Sequence, residues 1–285
     1  QHRVARQVAV GVVDGLEVVE VEQNQGEGQA VAAGALKFAV GGLEEMATKH
    51  PELFNARYGQ LADTGEDPMV ALNTAFARDG FFIYVPRGVK LEKPIQVINM
   101  LESDRDTFVT QRNMVIAEPE AELKLIVCDH TLNVNRYFAN TVTEVFTGEN
   151  GSVDMCSVQN QHNMTADVHS VFHHLGRDSH LTTHSITLHG GIMRNNLKVI
   201  LDGENAEANM YGMAFLDRKQ HVDNALKVVH ARPNCLSNQH YKNVLDDEAS
   251  GAFSGRIHVV RDAQKTNAYQ RNNTILLTDK ALMQT

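Results

Sequence analysis

The spacing of apolar residues changes near Gly80. From there to the end of the chain, short β-like runs follow one another. Residues 81–85 form an apolar run, and apolar and polar residues alternate at 123–127 and 138–146. Alternation is typical of β-strands, because successive side chains on a strand point to opposite faces. The runs recur at roughly twenty-residue spacing without helical periodicity. A repeated unit of short strands predicts a β-solenoid, and a β-sandwich fits the same pattern nearly as well.

Helical periodicity precedes the strands. Between residues 41 and 80, apolar residues recur at three- and four-residue intervals, which is typical of amphipathic helices. Asp67 is suited to cap a helix in which Pro68 is the first residue. We therefore expect residues 1–80 to form an N-terminal region with a small helical subdomain at about 41–80, and residues 81–285 to form the β core.

The first forty residues carry a weaker pattern. Apolar runs at residues 8–13 and 16–21 predict two strands. The polar stretch at residues 23–29 separates them from an Ala-rich run, and we expect it to be a disordered join.

The stretch at residues 230–273 is dense in amide and charged side chains, yet it contains short apolar runs. Buried amides are costly unless their donors and acceptors are paired, so this composition predicts ordered corners or side-chain ladders. A directly functional surface is the alternative interpretation. The functional candidates in this stretch are His230, Cys235, Asn238, Gln239, Arg256 and Lys265.

Charge and cysteine content exclude several classes of protein. The formal net charge of −9 argues against nucleic-acid binding, which needs clustered Lys and Arg. No apolar run reaches the length of a membrane-spanning helix, and no signal pattern begins the chain. Cys128, Cys156 and Cys235 are far apart, which predicts neither a disulfide framework nor a zinc knuckle. We expect a cytoplasmic protein, with Cys128 and Cys156 in its core.

Histidine is concentrated between His162 and His189, where seven of the fourteen histidines lie. Spacing predicts that His162 stacks on His184, or His169 on His189, in neighbouring turns of a solenoid. Converging neutral imidazoles would bind a metal ion, and a homodimeric metal-binding β-helix is one hypothesis. Hydrogen-bonded histidines on a solenoid face are the simpler interpretation, and no metal site is predicted.

Cys235 lies five residues from His230 and five from His240. This spacing places the three side chains on different sides of any regular element, so they do not chelate one ion from it. A lone thiolate is able to accept sulfur or to share a cluster with a partner chain. A single cysteine is more often a small buried residue.

No complete catalytic set is present in the sequence. The chain contains neither a phosphate-binding GxxxxGK[ST] motif nor a GxSxG motif. Asp246, Asp247 and Glu248 are suited to act as a general acid and base, and we expect Arg256 and Lys265 to brace that corner. This group motivates one alternative function, a carbohydrate lyase or hydrolase on a β-helix.

The polar stretch also resembles a known family. The matching segments are residues 71–76, 93–96, 189–192, 194–195, 237–239, 241–242, 245–247, 253–257 and 262–266, followed by Ala268, Gln270 and Asn272. Through these segments, from about residue 51 to the end, the chain is similar to the SufB/SufD scaffold proteins of the SUF iron–sulfur cluster assembly system, and most similar to the SufD branch.

The resemblance implies a right-handed parallel β-helix core between helical ends, and a scaffold subunit without catalytic activity. It implies SufB and SufC as partners, SufC being the ATPase. It also implies no tightly bound cofactor, with a transient iron–sulfur cluster only at the interface with SufB. The Cys and His motif that the family associates with clusters, and the C-terminal helical part, follow Thr285, so no ligand is carried over. Without SufB, we expect a homodimer through the β-helix edge.

Overall fold

The computed structural model describes the backbone of residues 5–12 and 18–22, and complete residues 38–78 and 80–285. The two predicted N-terminal strands are present as β1 (Ala5–Val12) and β2 (Val18–Glu22), which pair in antiparallel fashion. The polar stretch at residues 23–29, predicted to be a disordered join, lies outside the described residues. No helix in the described part of the chain is long and apolar enough to cross a membrane.

The described chain is mainly β, with three short helices near its beginning. The helices are α1 (Leu43–Lys49), α2 (Pro51–Arg57) and α3 (Pro68–Phe76). The remaining strands are β3 (Ala39–Gly42), β4 (Phe81–Val85), β5 (Ile95–Glu102), β6 (Thr107–Ala117), β7 (Glu122–Thr131), β8 (Tyr137–Thr147), β9 (Ser152–Asn160), β10 (Thr165–Leu175), β11 (His180–His189), β12 (Ile192–Leu201), β13 (Glu207–Leu216), β14 (His221–His230), β15 (Leu236–Leu245), β16 (Ser250–Val259), β17 (Asn267–Leu276) and β18 (Leu282–Gln284).

The strands wind into a β-solenoid of about seven turns, which confirms the predicted fold class. From β5 onward, odd-numbered strands form one sheet and even-numbered strands form the other. Each strand pairs in parallel with the strand two places later in the chain. We call the odd-numbered sheet sheet A and the even-numbered sheet sheet B.

The predicted twenty-residue spacing is wrong. Ser170 pairs with Asn196, 26 positions later, and Phe82 pairs with Met114, 32 positions later. A full turn is longer than twenty residues because it contains two strands, most of them about ten residues long, and two corners.

Alternation along each strand decides which side chains enter the solenoid. On β14, Val222, Asn224, Leu226, Val228 and His230 are buried, and the residues between them are partly exposed. Equivalent positions of successive turns stack in register, so apolar side chains from both sheets form one continuous core. The interior is a packed core, and it includes some polar side chains.

The corners that lead from sheet B to sheet A share one backbone conformation. In each, one residue adopts a positive φ, a region in which Asn and Asp are enriched among non-glycine residues. At all of these corners but the last, its N–H donates to a carbonyl of the next turn, as Asn150 does to Arg177 and Asp178 to Glu204, both at 2.9 Å. The residues at this position are Glu120, Asn150, Asp178, Asn205, Asn234 and Lys265.

Side-chain ladders reinforce the corners, as the composition of residues 230–273 predicts. The Asn234 amide donates to Glu204 at 2.8 Å, and the Asn205 amide donates to Asp178 at 2.9 Å. Within sheet A, Asn243 donates to Asn272 at 3.0 Å. Stacked turns repeat the same geometry, so each of these three amides meets a partner one turn away.

The helices pack on the outer face of sheet B. Asp67 caps α3, and its carboxylate accepts a hydrogen bond of 2.7 Å from the N–H of Met69. Asn73 of α3 donates to two strand carbonyls, those of Gln111 and Asn140, each at 2.9 Å.

A buried ion pair joins the helical subdomain to the solenoid. Arg112 and Glu144 are both almost completely buried, and their charged groups are 2.6 Å apart. Glu144 also accepts hydrogen bonds from the backbone N–H groups of Gly59, Leu61 and Ala62, at distances between 2.8 and 3.2 Å. One carboxylate therefore holds both the arginine and the loop that follows α2.

We expect Glu144→Gln to destabilise the protein by about 3–5 kcal/mol, because the change leaves the buried Arg112 charge without a counter-charge. Chemical denaturation measures this loss. The matched control is Glu149→Gln, since Glu149 is exposed at a corner on the same turn and should change stability by no more than about 0.5 kcal/mol. Equal stabilities of the two variants would contradict the prediction.

His173 is a second ionisable residue inside the solenoid. It lies in register between Val145 and Val199, two core residues, and neither ring nitrogen has a hydrogen-bond partner. Burial lowers its pKa from 6.5 to about 3. The folded protein therefore holds His173 in the neutral form.

The lowered pKa of His173 makes the folded protein less stable at acidic pH. The unfolded chain takes up a proton at His173 below pH 6.5 and the folded chain does so only near pH 3, so stability is lost as pH falls through that window. Within this window, His173 should lower the free energy of unfolding of the wild-type protein by about 1.4 kcal/mol for each pH unit, and we expect His173→Val to abolish this contribution. Denaturation curves between pH 7 and pH 3 test it, with exposed His258→Val as a control that should keep the wild-type slope. An unchanged slope in His173→Val would sink the prediction.

Candidate functional site

His230 and Cys235 are buried at the corner between β14 and β15. The Nε2 atom of His230 lies 2.9 Å from the hydroxyl oxygen of Ser237, and burial lowers the pKa of the imidazole. The Cys235 thiol donates to the carbonyl of Gly203 at 3.2 Å, and burial raises its pKa. A thiol that is buried and protonated is a poor nucleophile and a poor ligand. Both residues therefore stabilise the corner through packing and hydrogen bonds.

Asn238 and Gln239 point in opposite directions, because they are neighbours on β15. Asn238 lies half-buried on the outer face of sheet A, between Asn209 and Tyr269 in register. Gln239 is completely buried, and neither its amide oxygen nor its amide nitrogen has a hydrogen-bond partner. The structure does not combine these two residues into one site.

Arg256 and Lys265 lie at separate places. Arg256 is exposed on the outer face of sheet B, where it continues a column formed by Lys198 and Lys227. Lys265 is exposed and occupies the positive-φ position of a corner that leads from sheet B to sheet A. Neither residue faces the acidic corner at residues 246–248, which leads from sheet A to sheet B.

The predicted Arg256 and Lys265 do not contact the acidic corner, and other basic residues do. Glu248 pairs with Lys280 at 3.0 Å and with Lys219 at 3.6 Å. The hydrogen bond and charge of Lys280, followed by the charge of Lys219, lower the pKa of Glu248. Asp247 accepts a hydrogen bond of 3.0 Å from the backbone N–H of Arg218. A general acid needs a raised pKa, so this arrangement does not support the carbohydrate-active alternative.

The histidines of the cluster are dispersed over the interior, both outer faces and the corners. His169 and His173 lie inside the solenoid, whereas His174 lies on sheet B beside Asp202 and His184 lies on sheet A beside Asp154. The Nδ1 atom of His189 accepts a hydrogen bond of 2.8 Å from the side-chain amide nitrogen of Gln220 at a corner. Among the described residues, no three His, Cys, Asp or Glu side chains are placed to hold a metal ion.

The predicted histidine stacking is wrong, since a turn has a different length from the one assumed. His184 is in register with Cys156 and Tyr211, and His169 is in register with Thr141 and Asn195. The ring centroids of His184 and Tyr211 are 5.3 Å apart, with the rings inclined by 20°. In sheet A, His184 therefore stacks on Tyr211 and not on another histidine.

Sequence reasoning missed a column of functional side chains on the outer face of sheet A. Its members, in register on successive turns, are Cys156, His184, Tyr211, His240 and Arg271. Beside the column lies a cleft of about 290 Å³, which is also lined by Ile186, Met213 and Lys242. The members of such a column are separated in the sequence by the length of one full turn. That length follows from the strand register, so the column is not recognised before the register is known.

Cys128 and Cys156 also differ from their predicted place in the core. The inward positions of β7 are odd-numbered, as are those of β9, so both cysteines point to the outer face of sheet A. Cys128 is nevertheless buried, and Cys156 is partly exposed. Burial, followed by the neighbouring Cys128, raises the pKa of Cys156, which keeps its thiol protonated at neutral pH.

The solenoid interior contains a polar section beside the corner that leads from sheet A to sheet B. Asn99 donates to Asp129 at 2.8 Å and accepts from Gln111 at 3.1 Å. In the next turns, Gln161 donates to Asp167 at 3.1 Å. Burial, and then the charge of Asp129, raise the pKa of Asp167 well above its usual range. Two carboxyl groups thus share a buried region.

Two family models match this chain, and both describe SufBD proteins. The model of the SufBD protein N-terminal region matches residues 21–97, and the model of the SufBD core domain of SUF-system FeS cluster assembly matches residues 99–285. The two matches cover the helical subdomain and the solenoid in order.

Individual relatives match at low identity. An iron–sulfur cluster assembly SufBD family protein of Synechocystis is 26% identical over 238 residues, which cover 80% of this chain and 52% of the relative. Iron–sulfur cluster assembly protein SufD of Bacillus subtilis is 27% identical over 221 residues, with 76% and 50% covered. SufB of the same organism is 21% identical over 238 residues, with 83% and 51% covered.

The chain thus spans about half the length of the curated relatives it matches. Its core-domain match covers more than half of the chain and coincides with the stacked turns of the solenoid. On this evidence the chain belongs to the SufB/SufD family of the SUF iron–sulfur cluster assembly system.

Proposed function

We propose that this chain is a non-catalytic, SufD-like scaffold subunit that pairs with a SufB homologue and the SufC ATPase. The observation that carries the proposal is the ordered family match, which extends over both the helical subdomain and the solenoid. The dispersal of the candidate nucleophile and acid–base groups over the described residues supports a scaffold rather than an enzyme. Protein partners, and not a substrate, are then its ligands.

Assignment to the SufD branch is supported by the sequence of β15 and the corner that follows β16. Residues 237–239 and 262–266 resemble that branch, and identity to SufD of Bacillus subtilis is 27%, against 21% to SufB. These segments build the ladders and corners of two adjacent turns. They would keep the solenoid surface in a fixed shape for a partner.

We propose further that this chain holds no cluster tightly by itself, and that a transient cluster forms only at the interface with SufB. The pKa shifts of two thiols support this view, because burial raises the pKa of both Cys156 and Cys235. Iron–sulfur clusters are held by thiolates, so thiols that stay protonated at neutral pH are poor ligands. A partner would have to supply the remaining ligands.

Co-purification with both partners tests the scaffold function. We expect the tagged full-length protein, co-expressed with SufB and SufC homologues of the same genome, to elute as one complex whose mass includes both partners. Iron and sulfide should accompany the complex and not the chain purified alone. Omission of the SufB gene is the control and should abolish the iron content. A chain that elutes without either partner would overturn the proposal.

We also propose that the chain forms a homodimer through the β-helix edge when SufB is absent. Of the described strands, β17 lies at the end of sheet A, and Ile275 on it is 59% exposed. Unpaired strand edges seek partners, and lysine on such an edge opposes pairing.

Light scattering at micromolar concentration measures this association. We expect the wild-type chain to be a dimer and Ile275→Lys to be a monomer. Ile192→Lys is the matched control, because Ile192 is also 59% exposed but lies on β12, within sheet B, where it should leave the dimer intact. A monomeric wild-type chain refutes the homodimer.

A further inference from the structure

Three buried oxygen atoms near one corner of the solenoid interior have no hydrogen-bond partner. They are the amide oxygen of Gln161, the hydroxyl oxygen of Thr165 and one carboxylate oxygen, Oδ1, of Asp167. Each of these residues is no more than 4% exposed. Unpaired buried polar atoms are uncommon in native proteins and are explained by a bound water, a bound ion or strain. Here three oxygen atoms occur together, which indicates one shared cause.

The fold brings the three residues to one place. Thr165 and Asp167 are adjacent inward positions at the start of β10, so their side chains lie side by side on one face of the strand. Gln161 follows the end of β9, on the other side of the same corner, and its amide nitrogen donates to the second oxygen of Asp167 at 3.1 Å. One of the unpaired oxygens therefore belongs to the Asp167 carboxyl group, and the other two belong to the adjacent inward residue and to the hydrogen-bond donor of that group.

A second carboxylate faces the same region from the preceding turn. Asp129 on β7 is in register with Gln159 on β9 and is buried. It accepts a hydrogen bond from Asn99, and its charge contributes to the raised pKa of Asp167. The hydrogen-bond partners of both carboxyl groups are amides, so the negative charge is not balanced by any of them.

We propose that Asp129, Gln161, Thr165 and Asp167 form a binding site for a hard divalent cation. The two carboxylates supply a charge of −2, and the amide and hydroxyl groups supply neutral oxygen ligands. A donor set made only of oxygen is preferred by Ca²⁺ and Mg²⁺ and not by the softer transition metals. The cation gives each unpaired oxygen a partner and removes the repulsion between the carboxylates.

A cation at this position would connect two turns and both sheets. Asp129 belongs to one turn of sheet A, whereas Thr165 and Asp167 begin the sheet B strand of the next. Binding to the folded protein and not to the unfolded chain raises stability, by an amount that grows with cation concentration. The site therefore has a thermodynamic signature that is independent of cluster assembly.

Thermal unfolding of the chelator-treated full-length protein tests the proposal. We expect the unfolding midpoint to rise by several degrees and to saturate when CaCl₂ or MgCl₂ is added, but not with KCl at matched ionic strength. A response to Ca²⁺ alone, Mg²⁺ alone or both supports the site and identifies its ion. The reading is made at pH 8, where Asp167 is most readily ionised.

Asp167→Asn is the informative variant. It preserves the side-chain shape and removes one buried charge, so we expect its midpoint without cation to be higher than that of the wild-type protein, and its response to Ca²⁺ and Mg²⁺ to be lost. Asp154→Asn is the control, because Asp154 lies on the outer face of neighbouring β9 and should keep the full response.

Two results would overturn the proposal. A midpoint that rises equally with KCl shows a general effect of ionic strength and no specific site. An Asp167→Asn variant that retains the response shows that the cation binds elsewhere. A wild-type midpoint that ignores both divalent cations but falls as the pH is raised from 5 to 8, with Asp167→Asn unaffected, shows that a proton on Asp167 replaces the cation.

Discussion

The parallel main-chain ladder between successive turns is the constraint on which the rest of the structure depends. Each strand is held in register by hydrogen bonds to the strand two places later in the chain, as β12 is to β14 over all ten residues. A shift of one residue would move every core side chain to the outer face. The inward alternation of β14, from Val222 to His230, therefore fixes both the core and the outer columns at once.

Polar groups inside such a core are stable only when they have hydrogen-bond or charge partners. The solenoid provides all of these partners for some groups and only part of them for others. Arg112 and Glu144 neutralise each other, and Glu144 additionally binds three backbone N–H groups, so that a buried charge orients the helical subdomain. Asp167 has amide and carboxyl neighbours instead, and it carries an unpaired oxygen. The first arrangement is complete within the protein, whereas the second leaves an oxygen atom without a partner.

Among the functional candidates, burial separates structural from surface roles. His230 and Cys235 hydrogen-bond within a corner, and Gln239 lies inside the solenoid. Arg256 is instead exposed on a column of basic side chains. A solenoid displays residues one turn apart as such columns on the outer faces of its sheets.

The sequence by itself determined the β-rich class, the capped helix that begins at Pro68 and the family, because alternation, capping and motif order are local or linear properties. Alternation alone did not separate a solenoid from a sandwich, and the family resemblance decided between them. It did not determine the length of a turn. Corners vary in length, so the register of Ser170 with Asn196, or of His184 with Tyr211, arises only when the whole stack forms. Non-local pairing alone decided that Lys265 lies apart from Glu248, and that Gln161, Thr165 and Asp167 meet.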